Sequence, residues 1–147
     1  MNYVLILLLI VVLAISSYTD IKNGLILNKI MYPSLIITAL IRLIDHPLGL
    51  IYYLLLGLLP ALSLFVIAIS KRNSVGGGDI KLMALIGIVL GFVGAILVFA
   101  YAMISGLIWS LISKVFCKKI SNEIRMAPHF TIGTMVHLFI IGIYTAH

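Results

Sequence analysis

Charged residues are scarce in this sequence. Of its 147 residues, 10% are charged and 63% are hydrophobic, whereas soluble domains average about 25% charged and about 45 to 50% apolar residues. This composition excludes a soluble globular domain and predicts an all-α, polytopic integral membrane protein. The length allows one domain, 1–147, and leaves no room for a separate soluble module.

Cysteine is nearly absent, since Cys117 is the only one in the sequence. A single thiol cannot form an internal disulfide, and no paired Cys or Cys/His spacing is typical of a zinc site. We therefore expect neither a metal ion nor a cofactor. The net charge of +6 could indicate nucleic acid, but the ten basic residues are scattered among short loops. The expected partner of these residues is the lipid bilayer, through anionic headgroups, and not nucleic acid.

Long apolar runs predict about six transmembrane helices. The runs are residues 3–18, 30–44, 48–70, 80–90, 93–113 and 128–145. The first lacks a basic start and a small-residue cleavage pattern, so it is interpreted as a membrane span and not as a signal peptide. The stretch 80–113 would be about 51 Å long as one straight helix, against a hydrocarbon core of about 30 Å. We therefore predict a turn at 91–94, which makes the fourth helix short.

The basic residues predict how these helices are oriented. With six spans, nine of the ten basic residues fall on one face, which the positive-inside rule identifies as cytoplasmic. Arg42 is the exception, and we expect it to snorkel to the outer interface or to pair with Asp45. Asp20 follows the first span and Asp79 precedes the fourth. The topology therefore brings these two aspartates to one membrane depth, at the cytoplasmic face.

A polar stretch precedes the fourth helix and reads Gly76-Gly77-Gly78-Asp79-Ile80-Lys81. A charged side chain near hydrocarbon costs about 2.5 to 3.5 kcal/mol on insertion scales. Glycines permit positive φ angles and a close approach of the backbone to a partner. A single Gly-Asp pair would be interpreted as a helix cap. Three glycines, together with a second aspartate at the same depth, favour a functional site.

Asp20 and Asp79 together have the chemistry of an aspartic protease. One carboxylate activates a water molecule while the other, protonated, polarises the scissile carbonyl. Held close together, two carboxylates cannot both be ionised. The other acidic residues are Asp45, which is predicted to lie outside, and Glu123, which is expected to pair with a basic neighbour.

Two motifs then indicate a family. The first is the segment 76–82 with the apolar helix that follows it, and the second is Asp20-Ile21-Lys22 with Ile26-Leu27-Asn28. Together they resemble the motifs of the prepilin peptidases, the type IV leader peptidases, which are membrane aspartic proteases of the GxGD type. Leu27 stands where that family usually has proline, and Lys22 where it usually has arginine. The resemblance covers nearly the whole chain.

The resemblance implies an endopeptidase that cleaves the basic leader of type IV prepilins or pilin-like precursors at the cytoplasmic face of the plasma membrane. The implied roles are catalytic for Asp20 and Asp79, active-site loop for Gly76, Gly77 and Gly78, and support of the site for Lys22, Asn28 and Lys81. Longer members of the family carry an N-terminal methyltransferase region with cysteine pairs. Because such pairs are absent and nothing precedes the first helix, we expect no methyltransferase activity.

Two other functions stay open at this point. A small transporter or channel component could use Asp20 and Asp79 to bind protons or a cation, although a pathway across the bilayer needs such groups at several depths. A structural subunit of pilus assembly would leave the glycine-aspartate loop without a role. The segment 126–130 is interpreted as a helix start, because proline is common in a first turn. A contribution of His129 to the substrate groove is the alternative.

Overall fold

The computed structural model describes residues 3–45, 53–70, 75–116 and 126–146, and in these ranges the chain is all-α, as predicted. The helices are α1 (Tyr3–Asn23), α2 (Asn28–Asp45), α3 (Leu59–Ser70), α4 (Gly77–Phe116) and α5 (Met126–Ala146). A short helical segment, 53–57, precedes α3 and is separated from it by a turn at Leu58.

The first helix extends beyond the predicted apolar run, which ends at residue 18. α1 ends at Asn23, before Gly24, whose φ is 66°. The amide N–H of Gly24 donates to the carbonyl oxygen of Asp20 at 2.9 Å, a helix ending that favours glycine because of its positive φ. Asp20 therefore lies in the last turn of α1, and its backbone is fixed by the helix.

A break at Gly91 divides α4 into two halves. Gly91 has φ of 76° and ψ of −178°, a conformation that residues with a Cβ atom rarely adopt. A Cβ atom at this position would also lie 3.1 Å from the ring of Tyr53. The break falls on the first residue of the predicted turn 91–94, while Gly94 stays helical. The half of α4 that carries Asp79 is therefore short, as expected.

α2 and α5 run in the same direction. A connector of four residues, 24–27, joins α1 to α2, and the two helices pack side by side, so they run in opposite directions. α5 also runs antiparallel to α1, because Ala127 contacts Asp20 and Thr131 contacts Leu13. The start of α2, the start of α5 and the end of α1 therefore lie at one end of the bundle.

The first half of α4 runs parallel to α2. Lys81 contacts Asn28 in the first turn of α2, and Ile88 contacts Arg42 in its last turn. The start of α4 thus lies at the same end of the bundle as Asp20. The two aspartates consequently lie at the same end of the bundle.

The second half of α4 runs antiparallel to α5. Gly94 lies beside His137, and Gly106 lies beside His129 near the start of α5. Because α2 and α5 share one direction, the two halves of α4 have opposite directions. The chain therefore reverses at Gly91.

Four helical stretches in the described ranges are long and apolar enough to cross a membrane: Tyr3–Asn23, Tyr53–Ser70, Gly77–Ser113 and Met126–Ile143. α2 is not among them, because its 18 residues include the charged Lys29, Arg42 and Asp45. The stretch Gly77–Ser113 counts once, although it contains the break at Gly91. The chain is a multi-pass membrane protein, and the count of about six spans stays a prediction.

The packing of the bundle suits a lipid environment. Gly57 and Gly87 bring two backbones into direct contact, since a Cβ atom on Gly87 would lie 1.8 Å from the carbonyl oxygen of Gly57. Such small residues are typical of helix contacts in membranes. On the outside, large apolar side chains are uncovered; Phe139 is 71% exposed and Trp109 is 62% exposed. This surface is expected to contact lipid.

Arg42 does not snorkel, so that explanation from the sequence is wrong. The side chain is only 8% exposed, and its Nε atom donates to the carbonyl oxygen of Ile88 at 3.3 Å. A second guanidinium nitrogen donates to the carbonyl oxygen of Val89, and the group lies 4.0 Å above the ring of Tyr53. The reason is the break at Gly91, which deprives the preceding carbonyls of intrahelical donors. The suggested pairing with Asp45 lies outside the described side chains.

Candidate active site

A cleft of about 280 Å³ lies where the end of α1, the connector 24–27 and the start of α4 meet. Its lining residues are Asp20, Gly24, Leu25, Ile26, Asn28, Gly76, Gly77, Gly78, Asp79 and Lys81. This set contains all the site residues predicted from the sequence except Lys22. Residues far apart in the chain thus come together in one cavity.

Asp20 is the more enclosed of the two carboxylates, with an exposure of 8%. Its Oδ2 atom accepts a hydrogen bond from the amide N–H of Ala127 at 3.3 Å. Ala127 lies in the first turn of α5, where amide groups have no acceptor within their own helix. The carboxylate of Asp20, at the end of α1, therefore accepts a hydrogen bond that the Ala127 amide cannot make within α5.

Asp79 lies in the first turn of α4, whereas the sequence predicted a position just before the helix. Its carboxylate accepts a hydrogen bond from the amide of Gly76, and its own N–H donates to the carbonyl of Gly76 at 3.0 Å. The contact of the Asp79 carboxylate with the Gly76 amide is one half of a capping box, and Gly76 has no side chain to complete the other half. A Cβ atom on Gly76 would lie 2.9 Å from Oδ2 of Asp79, which explains the glycine at that position.

The two carboxylates interact through their charges. The negative charge of Asp20 acts on Asp79, and both side chains line the same cleft. Within the described residues, neither carboxylate is within ion-pair distance of a basic side chain. Two like charges in one cleft repel each other, so the site disfavours two negative charges at once.

The glycines of the loop differ in what surrounds them. A Cβ atom on Gly78 would lie 2.8 Å from the side chain of Ile26, so the absence of a side chain lets α4 pack directly on the connector. A Cβ atom on Gly77 would have nothing within 4 Å. Gly78 therefore allows α4 and the connector to pack closely on two sides of the cleft. Gly77 leaves the entrance of the cleft without a side chain.

The predicted supporting residues separate into two groups. Lys81 donates to Oδ1 of Asn28 at 2.7 Å and lies 4.5 Å above the ring of Tyr32, so it joins the start of α4 to the start of α2. Lys22 is exposed and lies 5.9 Å from the centre of the Tyr18 ring. The structure brings Lys81 and Asn28 to the cleft and leaves Lys22 outside it.

The backbone contact from Ala127 was missed in the sequence, because an amide group has no residue signature. A network of hydroxyl groups surrounds it. Ser17 of α1 and Thr131 of α5 each hydrogen-bond the carbonyl oxygen of Ala127, at 3.1 Å and 3.0 Å, and they also bond each other. The prediction that a helix starts within 126–130 was the one feature of the sequence that indicated free amide groups near this position.

His129 lies next to this network but does not line the cleft. It is buried, and its Nδ1 atom is 3.1 Å from the hydroxyl of Ser105, which itself donates to Ala102 at 2.9 Å. His129 thus joins α5 to the second half of α4. In the described part of the chain, no three His, Cys, Asp or Glu side chains come together as a metal site.

Comparisons with known proteins identify a family. The family model described as "Type IV leader peptidase family" matches residues 7–111, a range that includes both Asp20 and Asp79. The prepilin leader peptidase/N-methyltransferase of Bacillus subtilis (strain 168) is 49% identical over 80 residues. That match covers 54% of this chain and 32% of the relative, so the chain matches about a third of the relative's length. No solved structure gives a significant match.

Proposed function

This chain belongs to the type IV leader peptidase family, and on that premise we propose that it is an aspartic endopeptidase that cleaves the basic leader of type IV prepilins or pilin-like precursors. Asp20 and Asp79 are the catalytic residues of this proposal. The observation that supports it most directly is that both carboxylates, 59 positions apart in the sequence, line one cleft at one end of the bundle.

The reaction follows from the chemistry of a shared proton. The ionised carboxylate takes a proton from water, whose oxygen attacks the scissile carbonyl carbon, while the protonated carboxyl donates its proton to the carbonyl oxygen. The tetrahedral intermediate then collapses. The C–N bond breaks, one product keeps the new carboxyl group, and a proton passes to the leaving amine. No metal ion or cofactor takes part in this scheme.

The shape of the cleft supports a peptide substrate that must leave its own helix. Gly76 and Gly77 are exposed and present backbone without side chains. Asp79, in the first turn of α4, is therefore accessible to a chain that approaches at the end of the bundle. A precursor with an apolar stem can lie in the bilayer beside the enzyme while its unwound end reaches the dyad.

The charge distribution supports an active site at the cytoplasmic face of the plasma membrane. Lys22, Lys29 and Lys81 lie at the same end of the bundle as the cleft. Cytoplasmic ends of membrane proteins carry the excess of basic residues. The matched relative is named as both a peptidase and an N-methyltransferase. For residues 1–147 we propose the peptidase activity alone, since the single cysteine cannot form the pairs expected of the second activity.

The test is cleavage of a precursor by the purified protein in lipid nanodiscs. A prepilin with a short basic leader and an apolar stem is the substrate, and mass spectrometry of both products locates the cut. Asp20→Asn and Asp79→Asn should be inactive. Asp45→Asn, at the end of α2 remote from the cleft, is the matched control and should cleave normally. Normal cleavage by either dyad variant would refute the proposal, and proton or cation uptake without any cleavage would favour a transporter.

A further inference from the structure

We propose that Ser17 is a positioning residue for Asp20. Its hydroxyl joins α1 to the first turn of α5 at Ala127, so that the Ala127 N–H stays oriented toward the Asp20 carboxylate. This inference rests on the proposed function, because it assumes that Asp20 is catalytic.

Ser17 and Asp20 lie three residues apart in α1, so both side chains face α5. The Ser17 Oγ atom is 3.1 Å from the carbonyl oxygen of Ala127, and Oδ2 of Asp20 is 3.3 Å from the nitrogen of the same residue. Two side chains of α1 therefore bind the two polar backbone atoms of one residue of α5. Fixing one of these contacts fixes the position of the other.

The two hydroxyl protons have few acceptors. Ser17 and Thr131 bond each other, each also contacts the carbonyl oxygen of Ala127, and Thr131 lies 3.4 Å from the carbonyl oxygen of Leu13 in α1. If Thr131 donates to Ser17, the Ser17 proton goes to Ala127. If Ser17 donates to Thr131, the Thr131 proton goes to Ala127 or to Leu13. In both arrangements the Ser17 hydroxyl links α1 to α5, either directly at Ala127 or through Thr131.

The surroundings increase the importance of this contact. Ala127 is fully buried, so an amide turned away from Asp20 would find no water. Pro128 follows and has no N–H of its own, which leaves fewer donors in the first turn of α5. Ser17 does not line the cleft, so it is not expected to touch substrate. It acts through Asp20.

The test compares Ser17→Ala with Ser16→Ala in the nanodisc assay. Ser16 is the matched control, because it is a buried serine in the same turn, and among the described residues its hydroxyl bonds only the sulfur of Met31, at 3.8 Å. Ser17→Ala should lower kcat about three- to tenfold, as expected from the loss of one hydrogen bond between membrane helices, and leave KM unchanged. Ser17→Thr, which keeps the hydroxyl, should restore kcat, and Ser16→Ala should not lower it.

The effect of Thr131 gives a second measurement. Thr131→Val leaves the contact from Ser17 to Ala127 in place, so its loss of kcat should be smaller than that of Ser17→Ala. The double variant should be no slower than Ser17→Ala alone. In the infrared, the carboxyl band assigned to Asp20 by subtraction of Asp20→Asn should shift in Ser17→Ala and stay in place in Ser16→Ala.

Specific results would overturn the inference. Full kcat in Ser17→Ala with an unshifted carboxyl band would exclude a positioning role, as would an equal loss of kcat in Ser16→Ala. A loss that Ser17→Thr does not restore, accompanied by a lower melting temperature, would show that Ser17 serves packing alone. The proposed function is tested separately, because inactive Asp20→Asn beside a fully active Ser17→Ala would refute only the role of Ser17.

Discussion

The Nζ atom of Lys81 lies 2.7 Å from Oδ1 of Asn28, and this hydrogen bond joins the start of α4 to the start of α2 across one side of the cleft. Asp79 lies two residues before Lys81, and the connector next to Asp20 ends just before Asn28. The bond therefore holds α4, which carries Asp79, at a fixed distance from the connector that follows α1 and Asp20.

Removing this bond should lower peptidase activity. Lys81→Met and Asn28→Ala are each expected to reduce kcat/KM about fivefold, which corresponds to about 1 kcal/mol for one hydrogen bond. The double variant should resemble either single variant, because both changes remove the same bond. Lys29→Met is the matched control, since Lys29 is an exposed neighbour of Asn28 that does not line the cleft. An equal loss in Lys29→Met would mean that only the positive charge matters.

Replacing either aspartate should abolish cleavage and leave the protein folded in the membrane. Asp20→Asn and Asp79→Asn are each expected to lose more than about 10⁴-fold in kcat, and the double variant should be little worse, since residues that act as one unit do not contribute additively. Single-turnover assays with excess enzyme measure such low rates. Two moderate, additive losses would argue against a dyad.

A methyl group at Gly78 should destabilise the site, whereas one at Gly77 should not. The added Cβ atom of Gly78→Ala would lie 2.8 Å from the Ile26 side chain and push α4 away from the connector. We expect a lower melting temperature in detergent for Gly78→Ala, and partial recovery when Ile26→Val removes one methyl group. Gly77→Ala meets no neighbour within 4 Å and is the control. Equal melting temperatures for the two alanine variants would contradict the close packing.

The topology predicts where a thiol reagent can reach the chain. Cys117, which lies outside the described residues, belongs to a basic loop that is predicted to be cytoplasmic. A membrane-impermeant maleimide should label it in inverted vesicles and not in intact cells. His46→Cys, in a background with Cys117→Ser, should show the opposite pattern. Labelling of Cys117 from outside would reverse the face on which the dyad acts.

That Asp20 and Asp79 lie in one cleft could be predicted from the sequence because charge is costly in an apolar chain. Asp20 and Asp79 stand out from long hydrophobic runs, and the basic residues place them at one depth before any contact is known. Lys22 shows the limit of this reasoning. α1 continues through residue 23, and a side chain two positions after Asp20 is rotated by about 200° around the helix, away from the cleft.

Contacts made by the backbone could not be predicted in this way. The amide of Ala127 meets Asp20 from 107 positions away, and neither the residue type nor its spacing indicates a hydrogen bond. The same holds for Arg42, whose acceptors are carbonyl groups left over at Gly91. The sequence predicted the break in α4. Which side chain donates hydrogen bonds to the carbonyl groups before the break depends on how α2 packs.

The short first half of α4 also has a consequence for where the cleft can lie. Residues 77–90 span about 21 Å as a helix, while an average hydrocarbon core is about 30 Å thick. None of the residues from 81 to 90 is exposed, so this half-helix is surrounded by protein and need not match the thickness of the bilayer. Its start, with Asp79, can therefore lie deeper than the ends of the lipid-facing helices around it.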